Sequence, residues 1–319
     1  MNACQQLAIT QFGQPSVLAM QTTEIPVPSD SQVLVRVAYA GVNPIDAKTR
    51  AGLGWAAQQN KGNLPWVPGY DIAGKVVKVG ANVQDFVVGE RVAGFVGFPL
   101  AGGGYSEYVA VEADALSQVA EGVPLANAAA LPLAGQTAWQ AIDKGQAGEN
   151  DRVLILAGAG GVGHIAIQLA VARGANVMAS CSAANMAFVS DLGATAVDYH
   201  QAPLAEQVEP VDVLIDLMGG DIGIAALDCV KAGGRVVTIP TITADAVCEQ
   251  ARQQGLEAEG MLVSPSVEQN NAMMAMLENG QLKLHIASQY PLSDGAQAHR
   301  DIEAGHTRGK IVLAVDSGE

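Results

Sequence analysis

Apolar and polar positions follow two textures along the chain. Over roughly the first 124 residues, short Val-rich runs alternate with turn residues, as in Val33-Leu34-Val35-Arg36-Val37 and Lys75-Val76-Val77-Lys78-Val79. Gly69, Gly74, Gly80, Gly89, Gly94 and Gly97 punctuate them at turn-like intervals. Brief β-branched runs that stop at Gly or Pro predict strands, here of a compact and strongly curved β domain. From about residue 125 the texture changes. An Ala-rich stretch, Leu125 to Lys144, predicts a helix, and Gly145 and Gly148 predict the loop after it. Strands are then predicted at Val153–Leu156, Asn176–Ser180, Ala196–Asp198, Val211–Asp216 and Arg235–Ile239. Helices are predicted between them at Gly161–Arg173, Ala184–Leu192 and Ile222–Val230. Such alternation implies a doubly wound α/β fold, with parallel strands joined by right-handed crossovers. A strand at Gly260–Val263 closes the series. The Met273, Met274 and Met276 stripe reads as core packing rather than a ligand surface.

The strongest chemical signal is Gly158-Ala159-Gly160-Gly161-Val162-Gly163, which fits G-x-G-x-x-G. The pattern is weak alone, but here it follows an apolar strand and opens a helix, as dinucleotide binding requires. The first Gly is expected to allow the tight turn, the second to admit the pyrophosphate, and the third to let helix and strand pack. Gly161 and Val162 place backbone N–H groups at the helix N-terminus, where phosphate charge is stabilised. NAD sites usually carry Asp or Glu at the end of the second strand, for the ribose 2′-OH. That position holds Cys181, between Ser180 and Ser182. The missing acid favours NADPH, with NADH still possible. No Arg or Lys lies nearby in sequence, so the hydroxyls of Ser180, Ser182 and Tyr199 are the candidate phosphate partners. Ile239, ending the Arg235–Ile239 strand, joins the cofactor set.

Composition removes whole classes of function. In 319 residues, 49% apolar content rules out a disordered chain, and 36 glycines without a Gly-X-Y period rule out collagen. Seventeen basic against 32 acidic residues give a net charge of −15, which argues against nucleic acid and anionic membranes as partners. Cys4, Cys181, Cys229 and Cys248 are far apart, without C-x-x-C, and predict neither disulfides nor a zinc site. The apolar stretch Val153–Ala172 is interrupted by glycines and is not expected to cross a membrane. Met1 to Thr10 lacks the pattern of a secretory signal, so a cytoplasmic, soluble protein is expected.

Several further motifs carry a resemblance. These are Gly41-Val42-Asn43-Pro44-Ile45-Asp46-Ala47-Lys48-Thr49-Arg50-Ala51-Gly52, Pro68-Gly69-Tyr70-Asp71-Ile72-Ala73-Gly74, Val88-Gly89-Glu90-Arg91-Val92 and Gly104-Tyr105-Ser106-Glu107-Tyr108. Gly135-Gln136-Thr137-Ala138-Trp139, the glycine turn and Gly305-His306-Thr307-Arg308-Gly309-Lys310-Ile311-Val312-Leu313 follow in order. Over nearly its whole length the chain resembles the medium-chain dehydrogenase/reductase superfamily, and within it the zinc-independent quinone oxidoreductase (zeta-crystallin-like) group. The resemblance implies a GroES-like catalytic domain over 1–124, a Rossmann domain over 125–265 and a C-terminal return to the first domain over 266–319. It also implies a homodimer joined edge to edge through the Gly260–Val263 strand.

Zinc dehydrogenases of this superfamily carry a Cys in G-x-C-x-x-D, a His in G-H-E, and a third ligand just before the cofactor domain. The matching positions here are Asn43, then Tyr70 before Asp71, and Leu133-Ala134-Gly135. The segment that would hold a four-Cys lobe, Ala93 to Gly104, contains no Cys. An amide and a phenol do not assemble a tetrahedral zinc site, so no metal is expected. Without a Lewis acid the suitable substrates are already electrophilic: quinones and α,β-unsaturated carbonyls. The candidates for gripping the developing oxyanion are Asn43, Lys48, Tyr70 and Thr137. Thr137 matches a family position that faces the nicotinamide, and Lys310 one near the cofactor. Asp46 is expected to brace its loop. His164 is expected to be structural, and Cys181 has some prospect of reactivity beside the cofactor. Enoyl-thioester reduction and a non-catalytic NADPH-binding role are the alternatives.

Overall fold

The computed structural model describes residues 3–315. The chain divides into two compact units, 1–136 with 265–319, and 137–264. The change of unit therefore falls inside a helix, after Gln136, rather than near residue 125. The predicted helix Leu125–Lys144 is in fact two helices, Leu125–Ala130 and Pro132–Lys144. Pro132 has no N–H to bond back into the preceding turn, so the first helix ends before it.

The first unit is built on a seven-stranded sheet. Its order is Ile286–Pro291, Lys310–Ala314, Gln32–Val42, Asp71–Val79, Arg91–Phe95 and Leu116–Gln118, with Tyr108–Glu112 pairing Gln32–Val42 as well. The central Gln32–Val42 strand carries register shifts against Asp71–Val79, and such irregularities bend and twist a sheet. Val33, Val35, Val37, Ile72, Val76 and Val92 from neighbouring strands form its buried core. Two short helices, Pro44–Arg50 and Gly54–Asn60, interrupt a segment whose sequence reads as strand and turn. Pro44 opens the first at the position where a missing N–H costs nothing. The Lys310–Ala314 strand runs antiparallel to the centre of the sheet, with Ile311 opposite Val42. This pairing makes the chain's end part of the first unit.

The second unit is a six-stranded parallel sheet. Its order is Thr195–Asp198, Asn176–Cys181, Arg152–Ile155, Val211–Asp216, Val230–Thr238 and Glu257–Gly260. The chain winds outward from Arg152–Ile155 in one direction and then returns to its other side. Loops leaving the adjacent strands at that reversal diverge, and ligands of open α/β sheets bind in the crevice between them. The closing strand is Glu257–Gly260, earlier than the predicted Gly260–Val263. The strands supply Leu154, Leu214 and Val236 to the core, and Leu156 joins them from just beyond the Arg152–Ile155 strand. Met273 and Met274, on the Val267–Glu278 helix of the first unit, are buried.

Candidate functional site

In the first unit the ends of three neighbouring strands bring together Asn43, Asp71 and Lys310. Asn43 follows the Gln32–Val42 strand, Asp71 opens the next strand, and Lys310 opens the strand on the other side. Asn43 Nδ2 donates to Asp71 Oδ2 at 2.8 Å. Lys310 Nζ donates to Asn43 Oδ1 and, at 3.3 Å, to the Val42 carbonyl, and stands 3.9 Å from Asp71 Oδ2. The other Asp71 oxygen accepts from the Leu133 backbone N–H at 2.8 Å, holding the start of the Pro132–Lys144 helix. Asp46 braces its loop, accepting from the Asn43 N–H at 2.9 Å and the Gly69 N–H at 3.1 Å.

All the charges of this cluster are buried. Burial pushes the Asp46 carboxyl up to about 7, with the two backbone donors and Lys310 opposing and Asp71 adding to the rise. It raises Asp71 too, against the pull of Lys310, Asn43 and Leu133. It lowers Lys310, which both carboxylates partly restore.

The candidate oxyanion donors are placed unequally. Asn43 is only 1% exposed, and both ends of its amide are engaged. Lys48 lies exposed on the Pro44–Arg50 helix and makes no side-chain hydrogen bond or ion pair among the described residues. Tyr70 is buried, its hydroxyl donating to the Pro99 carbonyl at 2.9 Å and its ring packed on Trp66, Phe95 and Phe98. Burial also drives its hydroxyl well above the usual phenol range. Tyr70 is thus a packing residue here. Tyr70→Phe is expected to leave kcat within about twofold, whereas losing a proton donor costs about 100-fold or more. Steady-state rates of the variant decide between them. Thr137 is buried in the Pro132–Lys144 helix.

A second buried chain runs behind Asp46. Tyr105, whose hydroxyl is coupled to Asp46, bonds His299 Nε2 at 3.1 Å. Burial, reinforced by the Arg50 guanidinium, lowers His299 to about 3. A His held neutral by the fold contributes stability above its unfolded value near 6.5, lost as pH falls toward 3. Asp46 acts oppositely: its raised value means that the fold loses stability as pH rises from about 4 to about 7. The two effects separate in a comparison of variants. The Tm advantage of wild type over His299→Gln is expected to shrink as pH falls from 6.5, as thermal melts at stepped pH would record. A constant difference would contradict the assignment.

In the second unit, the glycine turn leaves the Arg152–Ile155 strand and enters the Gly163–Ala172 helix. The left-handed residue of the turn is Ala157, at φ 51°, not the first glycine. Gly158 serves close packing instead, because a Cβ there would lie 2.6 Å from that of Ala179. At Gly163 a Cβ would lie 2.2 Å from the Ala157 carbonyl oxygen. Gly160 differs, since its nearest neighbour would be that same oxygen at 3.2 Å. Gly160, Gly161 and Val162 form the partly exposed face of the turn. Packing accounts for the outer glycines and leaves the middle one for a close ligand approach. A helix start with N–H groups lacking intrahelical acceptors is what a pyrophosphate needs, so the turn fits a dinucleotide.

The residues around the turn divide similarly. Ser180 is buried, and its Oγ accepts from the Ala157 N–H at 3.2 Å, so it braces the strained residue rather than facing a phosphate. Ser182 accepts from Asn185 Nδ2 at 3.2 Å and stays half-buried. Tyr199 is 48% exposed, lies with its ring tilted against that of His200 and is tied by its N–H to the Cys181 carbonyl. Ile239 follows the Val230–Thr238 strand, its N–H bonded to the Asp216 carbonyl. Sequence reasoning missed Asp216. It accepts from the Met218 and Gly219 N–H groups and from the Thr238 hydroxyl, and so shapes the turn at the sheet's reversal. All four cysteines are buried thiols. Burial raises Cys181, with Asp198 adding to the effect, so it lacks the lowered value of a reactive cysteine. His164 is buried, with Nδ1 2.8 Å from the Gly160 carbonyl oxygen, as a structural residue would be.

Two family models match the chain: an alcohol dehydrogenase GroES-like domain over residues 29–121 and a zinc-binding dehydrogenase over 192–313. The 2-methylene-furan-3-one reductase of Solanum lycopersicum is 33% identical over 95% of this chain and 77% of its own length. The chain belongs to the medium-chain dehydrogenase/reductase superfamily, on its quinone oxidoreductase branch. The NADPH-dependent alkenal/one oxidoreductase of Arabidopsis thaliana, chloroplastic, is 32% identical over 95% of this chain and 78% of its own. Among solved structures, the quinone oxidoreductase of Coxiella burnetii superposes with a TM-score of 0.95 at 40% identity, over 98% of this chain and all of its own.

The second family model bears the word zinc, and the residues at the family's ligand positions do not fit that ion. Asn43 offers an amide already bonded to a carboxylate and an ammonium, and Tyr70 a phenol bonded to a carbonyl. Leu133 supplies a backbone N–H to Asp71. The Lys310 ammonium beside Asn43 would repel a dication. Among the described residues no group of three or more His, Cys, Asp or Glu side chains is placed to hold a metal. No described helix is long and apolar enough to cross a membrane.

Proposed function

We propose that the protein is an NADPH-dependent reductase of quinones or α,β-unsaturated carbonyls, working without zinc. The observation that carries the reading is the replacement of a metal's donor set by the neutral Asn43 amide, bonded between Lys310 and Asp71, in a chain that keeps the dinucleotide turn. The relatives' reported activities, on alkenals, enones and quinones, support it. Bound NADPH supplies a hydride, and the displaced electron pair comes to rest on the substrate's carbonyl oxygen.

The protein's own part is orientation and a polar grip on that oxygen. Gly160, Gly161, Val162 and the helix start hold the pyrophosphate, with Gly158 and Gly163 keeping the turn closed. Ser182 and Tyr199 are the accessible candidates at the adenosine end, with Ile239 at the reversal of the sheet. Of the oxyanion donors, Lys48 is the accessible cation, Asn43 retains one N–H beyond that given to Asp71, and Thr137 completes the set. Cytoplasmic location and a homodimer are included in the proposal. The dimer would form across the Glu257–Gly260 edge, and a monomeric mass in solution would remove that part of it.

A panel of quinones, alkenals, enones and enoyl thioesters, assayed for NADPH and NADH oxidation, tests the reading. Turnover of quinones or enones with the lower KM for NADPH is expected. Preference for thioesters would move the assignment to enoyl-thioester reduction. Tight NADPH binding without turnover would make the protein a non-catalytic binder.

A further inference from the structure

Lys310 is expected from sequence to lie near the cofactor, yet its ammonium points into the first unit, where the residue is 3% exposed. There it caps a chain of three groups: ammonium to amide to carboxylate, from Lys310 through Asn43 to Asp71. Both bonds of the amide are charge-assisted: the ammonium draws electrons toward Oδ1 and away from Nδ2, while the carboxylate holds the amide in place. They also fix its orientation, since a flipped amide would set its NH2 against the ammonium and its oxygen against the carboxylate. Nδ2 carries two N–H groups, and Asp71 takes one.

We infer that Lys310 is a positioning residue for the reaction: it locks and polarises the Asn43 amide so that the remaining N–H is a stronger donor to the oxygen that becomes negative. The inference rests on the reductase reading above. In the step it serves, hydride reaches the quinone or the enone β-carbon, NADPH becomes NADP+, the electron pair settles on oxygen, and a proton from solvent completes the product. A fixed charge two bonds from that oxygen does part of what a Lewis acid does elsewhere, with no metal bound.

A purely structural role is the competing explanation, because Asp71 also anchors the start of the Pro132–Lys144 helix. The two are separable. Removing one member of a buried pair is costly, while replacing both by neutral groups is often close to neutral for stability. Lys310→Met and Asp71→Asn, made singly and together in the full chain, should be compared by Tm, by NADPH Kd from fluorescence titration, and by kcat and KM for a quinone and an enone. The double variant is expected to recover most of the Tm lost in Lys310→Met. Its kcat should stay about tenfold or more below wild type, equivalent to about 1.4 kcal/mol of barrier, with the NADPH Kd unchanged. Lys310→Arg, which keeps the charge, is expected to retain more kcat than Lys310→Met. That comparison stands even if the double variant does not fold.

Recovery of kcat together with Tm in the double variant would overturn the inference in favour of a structural pair. Weakened NADPH binding in a folded Lys310→Met would overturn it in favour of a cofactor contact. Equal kcat in the Arg and Met variants would overturn it as well. Absence of turnover by the wild type would remove the reductase reading and this inference with it, whereas an active wild type with a fully active double variant removes this inference alone.

Discussion

Alanine at position 163 is expected to cost about 3 kcal/mol or more of stability and to abolish NADPH binding. The new Cβ would lie 2.2 Å from the Ala157 carbonyl oxygen and 2.9 Å from the Gly158 Cα, both backbone atoms that no rotamer change can move. Relief would require the helix to shift away from the strand end that it packs against. Ala157 already holds a left-handed conformation, braced by Ser180, so little further adjustment is available there. Gly160→Ala provides the internal contrast. Its Cβ comes nearest the Ala157 carbonyl oxygen, at 3.2 Å rather than 2.2 Å, so the Tm loss should be much smaller than for Gly163→Ala, while NADPH affinity falls because the added methyl occupies the ligand's approach. Denaturant melts and fluorescence titration on the two variants read both effects. Equal stability losses would contradict the division of labour among these glycines.

The second large effect is expected at Asp71. Asp71→Ala removes in one step the acceptor for the Asn43 amide and the Leu133 N–H and the partner of the Lys310 ammonium. All of these lie in the interior, where an unpaired charge is expensive. A loss of about 3–5 kcal/mol follows, visible as a lower denaturant midpoint. Asp71→Asn should cost less, since its carbonyl oxygen still accepts one of the bonds. A destabilisation no greater than that of an exposed substitution would show that the cluster does not bear on the fold.

What could be read from sequence depended on how local the cause was. The glycine turn was legible because strand, turn and helix are consecutive, and the Val211–Asp216 strand was predicted to the residue because Pro210 bounds its β-branched run on one side and Asp216 ends it on the other. The bracing role of Asp46 was also legible, since its partner at Asn43 lies three residues away. The partners of Lys310 were not, because Asn43 is 267 residues distant and meets it only through the pairing of the last strand with the sheet's centre. Ala157 gave no signal, since nothing in an alanine announces a positive φ. Ser180 looked like a phosphate partner by position. Strand alternation does not say that its hydroxyl turns back to the chain's own strained turn. Pro132 did mark the break in the Ala-rich stretch, but the surrounding helix formers hid it.

Metal-free hydride transfer from NADPH to an electrophilic acceptor leaves its mark in the product. It is tested most directly by supplying NADPH deuterated at the transferable C4 position to protein stripped of zinc, with an enone as acceptor, and locating the label in the product. Turnover undiminished by the removal of zinc, with deuterium on the former β-carbon, is the predicted result. Turnover that appears only when zinc is restored, or a reduced product with no deuterium on that carbon, would contradict it.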